Sequence, residues 1–342
     1  MHLFLGEIKD AVRPRAALLM LGVLALGVLF IASYAGAFHQ QQPKDIALGV
    51  VAPEQTRAQT IRQLEQLPGS PLDPRALISE DAAREQLKDR EIYGALVIDP
   101  NSTTDRLLLA SGGGAAVADA LTEIVDEAEA AQQRTVETED VFPMEASDSR
   151  GLSAFYLVVG WSVGGYLCAA ILAISYGARP ANRMRATIRL LALGVFSVAL
   201  GLLGAVVIGP VLGALPGSVL GLGGLGALVV FAAGATTFAL QGLAGIVGIG
   251  LTVLVLVVAG NPSAGGPYQY PLLPPFWREI GPALPPGAGT WTARSIAYFG
   301  GHAITGPLLV LAAWCVGGAL LTLLFSSLRR GREAVEASEV RQ

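Results

Sequence analysis

Six stretches of the chain run for about 20 residues with almost no charge, the length a helix needs to cross a hydrocarbon core of roughly 30 Å. They fall at 16–38, 152–176, 188–208 (stopped by Pro210), 216–238, 242–260 and 304–327, and predict six transmembrane helices. Before the first, residues 2–12 set Leu3, Phe4, Leu5, Ile8 and Val12 on one helical face, with Glu7, Lys9 and Asp10 opposite. That pattern predicts an amphipathic helix lying in the membrane interface over 1–15, broken by Pro14.

Between the first two spans, residues 39–150 alternate short apolar runs with helical patterns. IALGVV (46–51), ALIS (76–79), YGALVIDP (93–100) and LLLAS (107–111) read as strands. Residues 56–67, 80–92 (with Ser79 as N-cap) and 115–134 read as helices. Strands alternating with helices predict a small α/β domain inserted between helices 1 and 2.

Residues 261–303, NPSAGGPYQYPLLPPFWREIGPALPPGAGTWTARSIAYFGG and the two residues after it, fit neither pattern. They hold eight of the chain's 20 prolines but only three formal charges, Arg278, Glu279 and Arg294. A membrane helix does not tolerate so many prolines, and a soluble linker carries more charge. The stretch therefore predicts a re-entrant or interfacial segment of short helices, with Trp and Tyr rings at headgroup level.

Charge then orients these elements. Only 15% of the 342 residues are charged, against about a quarter in a soluble domain. Residues 39–150 carry 21 acidic and 10 basic side chains, a balance of −11, and the remainder 6 and 13, a balance of +7. Arg13 and Arg15, then Arg179, Arg183, Arg185 and Arg189, then Arg329, Arg330 and Arg332 fall on faces that six crossings make equivalent. The positive-inside rule places both termini, including the tail 328–342, in the cytoplasm, and puts 39–150 and 261–303 outside. Arginine outnumbers lysine 20 to 3, a bias toward GC-rich codons that points to a bacterial cytoplasmic membrane. Cys168 and Cys315 both lie in apolar runs, so the polar domain has no disulfide framework.

Motifs that resemble catalytic or cofactor sites fail on context. Gly160-Trp-Ser-Val-Gly164 matches a nucleophile elbow but lies inside a predicted span, where Gly160 and Gly164 read better as a GxxxG packing face. The glycines of 221–226 satisfy a dinucleotide fingerprint, yet no strand precedes them and no acidic residue follows at the required distance. SGGG at 111–114 lacks the lysine of a phosphate loop and reads as a strand-to-helix turn. The histidines His2, His39 and His302 are scattered, so no metal site is expected. No phosphate-binding GxxxxGK[ST] loop occurs, so any ATP must be bound by another chain. The predicted spans carry essentially no charged residue in their cores, which argues against a proton-coupled secondary transporter. No catalytic, cofactor or metal residue is expected, and the chain does not read as an enzyme.

The elements NPSAGG, LLPPFWR and LPPGAG followed by RSxxYFGG resemble the YhgE/Pip family, relatives of the ABC-2 type exporter permeases. The order of elements is similar as well: an amphipathic helix, one span, a polar domain, then five spans with the broken segment between the last two. The resemblance implies the membrane subunit of an exporter of a hydrophobic or lipid-like substrate, working as a homodimer or with a paralogous half. Cytoplasmic ABC ATPase subunits would engage the N-terminal helix and the 177–189 loop through Arg179, Arg183 and Arg185. In that picture Asn261 and Pro262 end the fifth helix, Pro285 lies in the re-entrant segment, and Arg278 and Arg294 sit at the outer mouth. Phe276, Trp277, Tyr298 and Phe299 would anchor the segment in the interface, and Arg294 could equally be a snorkelling arginine. The alternative is a non-transporting scaffold, receptor or secretion-accessory protein whose outer domain binds a protein partner.

Overall fold

The computed structural model describes residues 14–178, 180 and 182–339. The interfacial helix expected over 1–15 and Arg179 fall outside the described residues, apart from the first turn of α1 (Pro14–Phe38). Proline suits a helix start, where its missing N–H has no intrahelical partner.

The chain next forms β1 (Ile46–Val51), α2 (Glu54–Glu65), β2 (Leu72–Leu77), α3 (Glu80–Lys88), β3 (Gly94–Val97), β4 (Thr104–Leu109), α4 (Ala115–Ala130) and β5 (Thr135–Asp140). The strands make one sheet in the order β2-β1-β3-β4-β5. All neighbours are parallel except β3 and β4. Ser79 caps α3 as expected, accepting from the Ala82 N–H at 3.2 Å. On one face of the sheet Leu48, Val50 and Leu107 pack with Leu64 of α2 and Leu121 and Val125 of α4. On the other, Ala95 and Leu108 pack with Ala83 and Leu87 of α3. β5 is an addition to the sequence reading, which ended the domain's elements at α4.

The membrane part follows as α5 (Ser153–Tyr176), α6 (Arg183–Val206, continued by a π turn over Val207–Val211), α7 (Val219–Ala244), α8 (Val247–Val253, continued by a π turn over Leu254–Ala259), and, after the broken segment, α11 (Thr305–Glu339). That segment contributes α9 (Pro275–Ile280) and α10 (Pro285–Tyr298). Among the described residues five helices are long and apolar enough to cross a membrane: α1, α5, α6, α7 and α11. The fifth of the six expected spans, 242–260, has different bounds. The fourth helix runs on to Ala244, and Gly245 at φ +63° turns the chain. The apolar helix that remains is Val247–Ala259, about 20 Å long at 1.5 Å per residue and short of a full crossing.

The central helix is α7, with 61% of its apolar window buried. Small residues let its neighbours approach closely, as membrane helices require. A Cβ on Gly201 of α6 would lie 2.5 Å from the Gly223 carbonyl, and one on Gly165 of α5 would lie 2.3 Å from the Val230 carbonyl. Trp161 fills the space beside Gly226 and donates its indole N–H to the Leu200 carbonyl at 3.2 Å. Gly221, Gly223 and Gly226 are thus contact points between helices, whereas a Cβ on Gly224 would meet nothing. The packing face expected of Gly160 and Gly164 is only half present. Gly164 meets Leu200, but a Cβ on Gly160 would meet nothing, and Gly165 rather than Gly160 makes the close approach. By contrast, α1 has only 6% of its window buried. It touches α8 and its π turn, where the Ser33 hydroxyl donates to the Val258 carbonyl at 2.7 Å.

Candidate functional site

Residues 261–303 join the two parts of the molecule. Gly260 ends the helix that precedes them, packed on Pro286, and Asn261 is buried beside Tyr34 of α1. Pro262 is buried at the same turn. The chain then leaves the helix bundle, returns through α9, and climbs again as α10 with Pro285 as its first residue. The return dips well into the bundle. The Trp314 indole, about 14 Å along α11 from its start, donates to the Ala283 carbonyl at 2.8 Å. A Cβ on Gly289 of α10 would lie 2.8 Å from Val158 of α5 and 3.1 Å from Val229 of α7. The segment thus packs among α5, α7 and α11.

The same segment completes the α/β domain. Leu272 joins the cluster on one face of the sheet, and Phe299, 2% exposed, joins the cluster on the other. The Phe299 ring lies 5.2 Å from Phe142 and covers Gly113, while Tyr298 covers Gly112. Tyr298 and Phe299 are therefore not the interfacial anchors expected of them. They face the glycine turn of the domain, which has no side chains to keep them out.

The turn's third glycine, Gly114, has φ +152° and meets the Gln269 side chain, with which any Cβ would collide. Gln269 accepts from the Val117 N–H at 3.0 Å and donates to the Gly266 carbonyl. It fills the start of α4, where a phosphate loop would hold its anion. Asp148 holds the start of α5, accepting from the Leu152 and Ser153 N–H groups, and also accepts from the Tyr298 hydroxyl at 3.3 Å. An acidic group at a helix N-terminus is favourable.

Arg294 neither sits at a mouth nor snorkels. It is 3% exposed and donates to the carbonyls of Gly265 (2.6 Å), Gly266 (2.8 Å) and Gly151 (3.1 Å). One buried guanidinium thereby ties α10, the loop before α9 and the loop before α5. Burial lacking such bonds would cost several kcal/mol. Arg90, at φ +57° just after α3, reaches the segment from the domain. Its Nη1 donates to the Trp291 carbonyl and the Ser295 hydroxyl, both at 2.8 Å, and its guanidinium lies 3.5 Å from the Trp291 ring centroid. Burial, and then the like charge of Arg294, lowers its pKa to about 9, so it stays cationic at neutral pH. Next to it Asp89 meets His302 Nδ1 at 2.6 Å.

The remaining expected residues are peripheral to this junction. Arg278 donates to the Lys44 carbonyl at 3.2 Å and lies 3.8 Å from Asp45, tying down the linker after α1. Phe276 is 61% exposed, in edge contact with Trp277. Arg183 and Arg185 are exposed in the first turn of α6, capped by Asn182, far along the bundle from the junction. Arg90, Gln269, Asp148 and Trp291 were not singled out from sequence. The glycines of 112–114 are visible in the sequence as a turn, but what packs against them, and the positive φ of Arg90, are legible only in the fold.

No family model, curated protein or solved structure matches this chain.

Proposed function

We propose that the chain is the membrane-spanning permease subunit of an ABC-2 type exporter, moving a hydrophobic or lipid-like substrate outward with ATPase subunits on separate chains. One observation carries the reading. The re-entrant segment packs deep against α5, α7 and α11 at one end and completes the core of the α/β domain at the other. A shift of the bundle helices would therefore be passed to the domain through a single connected body. The thinly attached α1 supports a lateral opening between it and α8, or a face for a second copy. The exposed arginines at the start of α6 supply contacts for a cytoplasmic ATPase. In this reading ATP is bound by the partner.

The test is mild-detergent purification of tagged protein with mass spectrometry of co-purifying chains, repeated with Arg183→Ala/Arg185→Ala. The expected result is an ATPase bearing a Walker A lysine, lost from the double variant while the variant still inserts and folds. Recovery of self-copies alone would sink the exporter reading. The scaffold reading draws support from an open groove of about 840 Å³ between α2 and α4, lined by Leu64, Leu67, Pro68, Ile124 and Gln132. It gains if a soluble protein is held through residues 39–150 instead.

A further inference from the structure

The junction holds more positive charge than its own contacts use. Arg90 and Arg294 face the same small space, which Tyr93 and Tyr270 also line. Arg90 engages only Nη1, so its Nε and Nη2 have no partner among the described residues. The Tyr93 and Tyr270 hydroxyls also lack a hydrogen-bond partner among the described residues, and neither is sealed from solvent. The one formal charge that bears on Arg90 is that of Arg294, and no carboxylate offsets it. One carboxylate, Asp148, bears on Arg294, but it is committed to the start of α5 and to Tyr298. Free donors therefore converge here without a matching acceptor.

The space between the arginines is about 10 Å³, room for a single water. Tyr93, Tyr270 and Trp291 also line a neighbouring cavity of about 510 Å³, which the two arginines do not themselves line. That cavity is walled by Pro282, Ala288, Trp291, Ala303 and Pro307, and bounded by Thr305 at the start of α11. It thus lies at the level where an apolar span begins, and it is the size of a small-ligand site. The Trp291 wall is fixed, its indole N–H donating to the Ala303 carbonyl at 3.0 Å and its ring stacked with Tyr270.

We propose that this cavity is a phospholipid site. Its tyrosine hydroxyls hold the lipid's phosphate, one phosphate oxygen taking the one-water space beside the free edge of Arg90, and its apolar wall holds the adjoining glycerol and first acyl methylenes. Hydroxyl donors backed by a guanidinium call for an anion, and the apolar wall beside them calls for one carried on a hydrocarbon body. The chemistry shared with a free anion is the phosphate group; the apolar wall favours the lipid-borne form. The site does not depend on whether the chain transports anything.

The test is native mass spectrometry of the full chain, delipidated and titrated in detergent with phosphatidylglycerol, diacylglycerol or inorganic phosphate. Phosphatidylglycerol is expected to bind at least about tenfold tighter than diacylglycerol, the scale of one or two charge-assisted hydrogen bonds. Tyr93→Phe/Tyr270→Phe, which keeps both rings, and Arg90→Gln are each expected to remove most of that preference. Since Arg90→Gln could loosen the junction, the tyrosine pair decides the matter if that variant misfolds. Equal retention of the two lipids, or a preference untouched by the tyrosine pair, would overturn the proposal. Displacement of phosphatidylglycerol by millimolar inorganic phosphate would assign the site to a free anion and overturn its lipid part.

Discussion

Arg294 and Phe276 look alike in sequence terms, each a polar or aromatic residue in a proline-rich stretch beside a membrane span. Their surroundings separate them. Arg294 holds three carbonyls from two other loops, and removing it leaves those acceptors buried without donors, at about 1–3 kcal/mol each. Arg294→Met is expected to lower the melting temperature of the purified chain strongly, while Phe276→Ala leaves it within experimental scatter; equal effects would contradict the buried latch. Phe299 belongs with Arg294. Its ring fills the sheet's second core, so Phe299→Ala should cost about 3–5 kcal/mol. It should also raise protease sensitivity within 39–150, far away in sequence. Composition could not distinguish a ring that faces lipid from one that faces a domain, because both environments favour Phe, Tyr and Trp. What marks Tyr298 and Phe299 is the complementary glycine turn at 112–114, and that pairing is visible only in three dimensions.

At the level of elements, the period of the apolar pattern was informative wherever an element is buried on one side. The first strand and the Ser79 cap fall where the pattern puts them. β5 escaped because TVETED is an edge strand, exposed along most of its length and charged. Such charges protect a free edge and erase the strand signal. β2 begins earlier than expected because Pro74 is tolerated on the opposite edge. The short fifth apolar helix was hidden by continuous hydrophobicity, since nothing but Gly245 marks the turn between α7 and α8. One element carries a pH dependence. Glu129, near the end of α4, is 1% exposed beside Asp105. Burial first, and then the neighbouring carboxylate, raises its pKa to about 7. A folded-state value above the unfolded one gives a contribution fully present below the unfolded pKa and lost as pH rises through about 7. Thermal unfolding should therefore show the domain losing stability between roughly pH 4.5 and pH 8, and Glu129→Gln should flatten that decline. An unchanged slope would mean that Glu129 is already ionised at low pH.

For the whole molecule, the membrane character and the separate α/β region were both evident from the distribution of charge. The union of the two was not. It rests on long-range pairs such as Arg90 with Trp291 and Gln269 with Val117, which no local pattern encodes. The result is a helix bundle and a sheet domain with a common core element, and a first helix, α1, that stands largely apart from both. If bundle and domain move together, the three stretches 111–118, 263–270 and 292–301 must open as one unit. Amide hydrogen exchange of the full chain in lipid nanodiscs measures this directly. Common opening rates are expected across the three stretches, with Phe299→Ala accelerating all of them by a similar factor and sparing the α6–α7 contact. Acceleration confined to 111–118, with 263–270 still protected, would show that the domain merely rests on the segment and would contradict a shared body.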